Sequence, residues 1–363
     1  MNFIEVKDLK VHYPIRGGFF NKVIDHVYAV DGVSLTIEEG KAYGLVGESG
    51  SGKSTIGKAI IGLEKIKSGK IIYEGKEIDR KFRNRRSEYN RNVQMIFQDS
   101  LSSLNPKKRV IDLISEPLRN FENLTSDEEK RKVSELLEIV GMNREDIYKY
   151  PHEFSGGQRQ RLGIARAVAT KPKLIIADEP VSALDLSVQA QVLNYMKDIQ
   201  EQFGLSYLFI SHDLGVVKHM CDYMFIMYRG RFVETGTKND IYKNPEHFYT
   251  KRLIAAIPEV HPEKRLENKK RRLEIEKEYL KNEKKYYDEN GRVFDLKKLT
   301  LNDGKEVWPD KYALTILGEI SNEFYNSNPI MNLGNNKKFA SADNVKIRNK
   351  KVIVERKKAV KVF

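Results

Sequence analysis

Short apolar runs alternate with stretches of helical period through the first two thirds of the chain. Phe3 to Val11 alternates apolar and polar positions, and Val27-Tyr28-Ala29-Val30 leads through Asp31-Gly32 into Val33-Ser34-Leu35-Thr36-Ile37. The first ~40 residues therefore read as strands. Ala42-Tyr43-Gly44-Leu45-Val46 is a short buried strand, followed at once by a Gly/Ser loop and a helical pattern from Ser54. Gly69 to Gly75 reads as a further strand bounded by turns. From Ser100 to about Gly163 the pattern is helical. Ser126 with Glu129 predicts a capping box, and Val133, Leu136, Leu137 and Val140 line one face until Gly141 ends that helix. Two apolar runs, Leu174-Ile175-Ile176-Ala177 and Tyr207-Leu208-Phe209-Ile210, flank a helix expected from about Val188 to Phe203. Strand–helix–strand of this kind implies a parallel sheet with helices on both faces.

The pattern changes after Pro258. Leu266, Leu273, Leu280 and Tyr287 recur every seven residues, but Lys270, Lys277 and Lys284 occupy the positions four further on. A coiled-coil seam needs both positions apolar, so a solvated amphipathic helix is the better reading. Asn290-Gly291 suggests a hairpin turn, and the Lys/Asn-rich last 27 residues read as loose.

Charge sharpens this division. Of the net +13, residues from His261 onward carry 25 Lys/Arg against 16 Asp/Glu, leaving 39 against 35 in the first 260 residues. A pI of 9.4 would suggest nucleic acid, but the excess sits in the tail and the main domain is nearly balanced. No apolar run approaches the ~18–20 residues that span a bilayer, and the start MNFIEVKDLKVHYP lacks the layout of a signal peptide. A single cysteine, Cys221, excludes an internal disulfide and leaves a zinc or iron–sulfur cage without ligands. A reducing, cytoplasmic compartment is the simplest expectation.

The chemistry concentrates in three motifs. Gly47-Glu48-Ser49-Gly50-Ser51-Gly52-Lys53-Ser54-Thr55 fits G-x-x-x-x-G-K-[ST] between a strand and a helix, the context that motif requires. Glycines let backbone N–H groups turn inward around phosphates, and the helix N-terminus adds positive potential. Lys53 is expected to reach the β- and γ-phosphates, and the Ser54 hydroxyl to ligate Mg²⁺. The run Leu174 to Ala177 ends in Asp178-Glu179, about 120 residues on. Asp178 is placed to hold Mg²⁺ and Glu179 to polarise an attacking water. Phe154-Ser155-Gly156-Gly157-Gln158-Arg159-Gln160-Arg161 opens another helix and offers a second anion-binding N-terminus. One triphosphate cannot easily occupy two such sites in one chain. The plainer reading of Ser155-Gly156-Gly157 is an N-cap with a tight turn.

The phosphate loop, Gln98, Ser155 to Gln158, Asp178-Glu179 and His212 occur in the order found in the ATP-binding-cassette (ABC) ATPases, which residues 1–260 resemble throughout. The resemblance implies an α/β fold with a phosphate-loop NTPase (RecA-like) parallel-sheet core. It also implies an N-terminal antiparallel β-subdomain, a helical subdomain at about 100–165, and a basic extension over 261–363. It implies a head-to-tail dimer in which Ser155, Gly156, Gly157 and Gln158 cap the ATP of a second cassette chain. In that frame Gln98 is similar to the glutamine that senses Mg²⁺, and His212 to the switch histidine on the γ-phosphate. Ser182-Ala183-Leu184-Asp185 matches the loop that crosses the dimer interface. Tyr13 is the candidate for stacking on adenine, displaced from the phosphate loop by the insert Arg16 to His26. Tyr28 and Phe20 are rivals, and a plain strand tyrosine remains open.

Finer features resemble the oligopeptide/dipeptide importer ATPases, a branch shared with nickel importers. They are Met95 to Asp99, Ser103-Leu104-Asn105-Pro106, Glu116-Pro117-Leu118, Tyr150 to Phe154 and Asn244 to Thr250. Ser100 departs from that branch, which usually has Pro there, and the tail lacks the cysteine cluster some relatives carry. The implied partners are a paralogous second ATPase chain, two membrane permeases and an extracytoplasmic peptide-binding protein, with this chain peripheral on the cytoplasmic face of the membrane. Two rivals stand beside this reading. A soluble cassette ATPase acting on the ribosome or nucleic acid usually carries two cassettes or a long coiled coil, and neither is present. A module that binds ATP without hydrolysis sits poorly with Glu179 and His212.

Overall fold

The computed structural model describes residues 2–17, 21–78, 88–99, 103–257 and 265–286, with four short strands beyond them. Two compact units part between Arg231 and Phe232, ahead of the composition change at Pro258.

The first unit holds two sheets. Strands β1 (Asn2–Gly17) and β2 (Lys22–Glu38) form a long antiparallel hairpin. The expected insert from Arg16 to His26 continues that ladder, with Arg16 opposite Val23 and Gly17 opposite Lys22. After β3 (Ala42–Val46) and α1 (Lys53–Ile60), β4 (Ser68–Tyr73) pairs with β1 and β5 (Lys76–Glu77) with β4, giving the order β2-β1-β4-β5. Register shifts along β1/β2 twist the ladder, one of them at Gly32, where φ is +81°.

The second sheet of this unit is parallel. Following α2 (Glu88–Asn92), β6 (Val93–Ile96) pairs with β7 (Leu174–Asp178), β7 with β8 (Ser206–Ser211), β8 with β3, and β3 with β9 (Tyr223–Tyr228). Every residue of β3, β7 and β8 is buried, as strands covered on both faces require. The neighbours β3, β8, β7 and β6 run the same way, so the segments that follow them emerge side by side at the carboxyl edge.

Between β6 and β7 lie α3 (Val110–Phe121), α4 (Ser126–Ile139) and α5 (Gly156–Val168). Val110, Leu113, Ile114 and Leu118 bury one face of α3. The α4 cap is one residue earlier than expected. Thr125 and Glu128 close the capping box, with Glu128 Oε2 accepting from Thr125 N at 2.8 Å. Glu129 instead takes a bidentate bond from Arg119 on α3, both distances 2.7 Å, and that guanidinium holds its carboxyl below the usual range. A hydroxyl on either of two adjacent residues can cap, and the partner available to Glu129 decides. Gly141, at φ +69°, follows the helix end as expected. Helix α6 starts at Leu186, two residues before its expected start, and runs to Phe203; α7 (Leu214–Met220) follows β8.

Strand β10 (Arg231–Thr237) opens on the last residue of the first unit, and its remainder belongs to the second unit with α8 (Lys238–Lys243), α9 (Phe248–Ala255) and α10 (Arg265–Tyr286). Glu234 accepts from Glu246 N and His247 N, and His247 Nδ1 accepts from Tyr249 N, so the chain entering α9 is held and one first-turn N–H is capped. Burial pushes the His247 imidazole down to about 3. Tyr279 of α10 is buried against α9, with the Arg252 guanidinium 4.1 Å from its ring centroid and Arg252 Nε on Glu276 at 2.9 Å. Leu273 and Leu280 of the seven-residue repeat are exposed. Among the described residues the helix thus packs through Tyr279 rather than through those two leucines. Further on, β11 (Leu299–Thr300) pairs with β12 (Glu306–Val307). In the segment expected to be loose, β13 (Val345–Arg348) pairs with β14 (Lys351–Val354). The Asn290-Gly291 turn, Phe20 and Ser100 lie outside the described residues.

Candidate nucleotide site

Four strand ends assemble the site. The phosphate loop leaves β3 at Gly47, Gln98 follows β6, Asp178 ends β7 with Glu179 behind it, and His212 follows β8. Two loop glycines are required by close backbone approach. A Cβ on Gly52, at φ +107°, would lie 1.9 Å from Ala29 O, and one on Gly47 would lie 2.2 Å from Met227 O. Lys53 is 4% exposed and donates to Gly47 O at 2.8 Å and Glu48 O at 2.7 Å, closing the loop on itself. Burial pushes its ammonium below the usual lysine value, and the charges of Glu179 and Asp178 oppose that shift.

The Ser54 hydroxyl donates to Asp178 Oδ1 at 2.7 Å. Burial holds the Asp178 carboxyl above its ordinary range, with the Ser54 bond opposing and the charge of Glu179 reinforcing. A hydroxyl and a carboxylate at this spacing are hard oxygen donors of the kind Mg²⁺ prefers, so the residues fit that ion.

Glu179 gathers the remaining polar groups. Gln98 Nε2 donates to Glu179 Oε2 at 3.0 Å, and His212 Nδ1 lies 3.0 Å from Glu179 Oε1. The Glu179 backbone sits at φ +46°, a left-handed conformation that costs a non-glycine residue roughly 1–2 kcal/mol. Its N–H donates to Ile210 O at 2.9 Å, and its carbonyl accepts from Ser182 N and Ser182 Oγ, so neighbouring bonds hold the turn. Gln98, expected beside Mg²⁺, is therefore found on the carboxylate of Glu179.

Ser155 caps α5. Its Oγ accepts from Gln158 N at 3.3 Å, and Gln158 Oε1 accepts from Ser155 N at 2.9 Å. A Cβ on Gly157 would meet Val188 Cγ1 at 2.5 Å, so that glycine admits α6, whereas one on Gly156 would meet nothing nearer than Leu184 Cδ2 at 3.9 Å. Asp185 is the N-cap of α6, and Leu184 O accepts from Gln189 Nε2, so the Ser182-Ala183-Leu184-Asp185 loop is anchored at its far end.

Tyr13 is partly exposed, with its hydroxyl near Thr55 and Glu64 at the side of the phosphate-loop helix. Burial raises its pKa, Thr55 lowers it and Glu64 raises it further. Tyr28 lies on the neighbouring strand with its ring 4.5 Å from that of His12. The motif reading did not find the cluster of Asp31, His12 and Arg231, in which the Asp31 carboxylate is paired with both of the others. Nothing in their spacing brings them together; the β1/β2 register and the turn after β9 do.

Comparison with known proteins agrees with the fold. Residues 30–182 match the family described as ABC transporter, and residues 233–289 match the oligopeptide/dipeptide transporter C-terminal region. The chain is 58% identical over 297 residues to an oligopeptide transport ATP-binding protein, OppF, of Lactococcus lactis subsp. lactis, covering 82% of this chain and 93% of that one. It is 45% identical over 264 residues to the dipeptide transport ATP-binding protein DppF of Escherichia coli, covering 73% and 79%. Among solved structures, cbiO1 from Clostridium perfringens, part of an ABC transporter complex, is similar at TM-score 0.57 and 25% identity over 67% of this chain and 92% of that one. A dimeric post-hydrolysis state of the ATP-binding cassette MJ0796, bound to ADP and Pi, shares the fold at TM-score 0.56 and 24% identity, covering 65% and 98%. The chain belongs to the ABC transporter family, in its oligopeptide and dipeptide transport ATP-binding branch.

Proposed function

We propose that this chain binds and hydrolyses MgATP to power uptake of oligopeptides or dipeptides across the cytoplasmic membrane. The observation that carries the chemistry is the convergence on one sheet edge of a Ser54–Asp178 pair and a Glu179 carboxylate held by Gln98 and His212. In this reading Gly47, Glu48, Ser49, Gly50, Ser51, Gly52 and Thr55 wrap the phosphates, Lys53 reaches the β- and γ-phosphates, and Tyr13 stacks on adenine. Ser54, Gln98 and Asp178 would hold Mg²⁺, which would neutralise charge on the phosphate oxygens.

Hydrolysis needs Glu179 to accept a hydrogen bond from water, and each of its oxygens keeps a second lone pair for that beside Gln98 and His212. Gln98 would also reach the metal site, and His212 would donate to the γ-phosphate as charge develops there. Ser155, Gly156, Gly157 and Gln158 cap the ATP of a second cassette chain, a paralogue, across the Ser182–Asp185 loop. Residues 1–260 act as the ATPase domain, with its helical part at about 100–165 passing the stroke to two permeases, and 261–363 as an extension. ATP closes the pair and loss of the γ-phosphate contacts opens it. The chain sits on the cytoplasmic face of the membrane, and an extracytoplasmic binding protein delivers the cargo.

Relatives named for peptide transport favour peptide over nickel and disfavour the ribosome or nucleic-acid reading. Reconstitution with its permeases should give ATP-dependent accumulation of labelled peptide that stops with Glu179→Gln. Nickel accumulation without peptide uptake would reassign the cargo, and uptake that persists with Glu179→Gln would reject the role of this site.

A further inference from the structure

One carboxylate, Asp31, is bonded toward both ends of the site. On the base side, the His12 ring is nearly enclosed and precedes Tyr13. Lys67 Nζ lies 3.1 Å from His12 Nδ1 and can only donate, so Nδ1 accepts. That leaves Nε2–H to donate to Asp31 Oδ1 at 3.2 Å. Burial, and secondarily the Lys67 charge, push the His12 imidazole down, against the pull of Asp31.

On the phosphate side, Arg231 Nη2 donates to Asp31 Oδ2 at 2.9 Å, and Asp31 N donates to Gly230 O at 2.8 Å. Burial alone would raise the Asp31 carboxyl; Arg231 and His12 hold it below its ordinary range. The turn so fixed does further work. Gly230 N donates to Ser51 O of the phosphate loop at 3.0 Å. A trans peptide carries its C=O and the next N–H in opposite directions. Anchoring the Ser51 carbonyl on Gly230 therefore aims the Gly52 N–H away from the turn. Gly230 itself lies at φ +82°, where a Cβ would meet Tyr28 O at 2.5 Å, so the turn is wedged between β2 and the loop.

We infer that Asp31 is a positioning residue for the nucleotide: through Arg231 and the turn at Gly230 it sets the Ser51–Gly52 peptide, and through His12 it sets the strand carrying Tyr13. The inference rests on the nucleotide reading above. It assigns Asp31 no contact with substrate, so its loss must be read in affinity.

The test is calorimetric titration of the full chain with MgATP and with magnesium tripolyphosphate, beside thermal melting. Asp31→Asn should raise the Kd for both ligands about tenfold, the scale of one lost charge-assisted bond, with binding stoichiometry retained. His12→Ala should weaken MgATP but leave tripolyphosphate unchanged, because it loosens only the base-side strand. Arg231→Gln should copy Asp31→Asn, Arg231→Lys should recover most of the affinity, and this pair answers the question if Asp31→Asn does not fold. Wild-type Kd values in both Asp31→Asn and Arg231→Gln would overturn the inference, as would lower stoichiometry and melting temperature at unchanged Kd. If the wild-type chain and Lys53→Ala bind MgATP alike, the nucleotide site itself is wrong.

Discussion

Two glycine-rich helix starts face anions in the proposed reading, and they are built oppositely. The phosphate loop is locked from within, with Gly47 and Gly52 pressed against backbone carbonyls, Lys53 buried on the loop, and Ser51 O fixed by Gly230. The Ser155 element closes its own capping box and stops there, with Gly156 facing no atom nearer than 3.9 Å. A loop that must hold many N–H groups convergent needs the rest of its chain as a mould. A surface meant to meet another molecule needs only a rigid base and an open face. The contrast is what a site completed by a second chain would require.

The largest effect should come from breaking the locked half. In Gly52→Ala the new methyl group has no room against Ala29 O and no easy backbone at φ +107°. MgATP affinity should fall at least about 100-fold, since roughly 3 kcal/mol of strain or lost contact follows. Titration with near-normal affinity would mean that the loop is softer than its contacts imply.

Glu179→Gln removes the charge that orients water while keeping the shape of the Gln98 and His212 clamp. Binding should survive and phosphate release should slow by on the order of 10²-fold or more. Activity within a few-fold of wild type would remove Glu179 from the mechanism.

The open half should fail in a different way. Gly156→Ala meets no clash inside the chain, so melting should stay within about 2 °C of wild type while ATPase activity falls roughly tenfold. Gly157→Ala, pressed on Val188, should instead cost about 1 kcal/mol of stability. Equal melting losses in both variants would erase the distinction between an open and a packed glycine.

The smallest effect is expected at the C-terminus. From Asn335 to Phe363 the chain has ten Lys/Arg and two acids, with only Phe339 and Phe363 as aromatics. Basic residues near anionic lipid gain about 1 kcal/mol each, whereas single-strand readers interleave stacking rings. Truncation after Asn335 should leave ATPase activity nearly unchanged. Submicromolar RNA binding lost on truncation would revive the nucleic-acid reading.

What could be read from sequence divides along the same physical line. The parallel core was legible because β3, β7 and β8 are continuous apolar runs, and the phosphate loop because its glycines have fixed spacing. The cap of α4 slipped by one residue because Thr125 and Ser126 are chemically equivalent candidates, and only the Arg119–Glu129 pair separates them. The seven-residue repeat after Pro258 marked a helix but not its contact face, since Tyr279 with Arg252 outweighs the exposed leucines. Asp31, His12 and Arg231 carry no motif, because strand register and a turn bring them together.

The central claim, that two chains complete one ATP site, is tested most directly by mixing two inactive variants of the purified chain under conditions where the wild-type chain pairs with itself in place of its paralogue. Ser155→Arg destroys the open half and Lys53→Ala the locked half. With random pairing at equal amounts, half the dimers are mixed and each keeps one intact site of two. ATPase activity should therefore recover to about a quarter of the wild-type rate measured alongside. A mixture that stays inactive while the wild-type chain hydrolyses ATP would contradict the account.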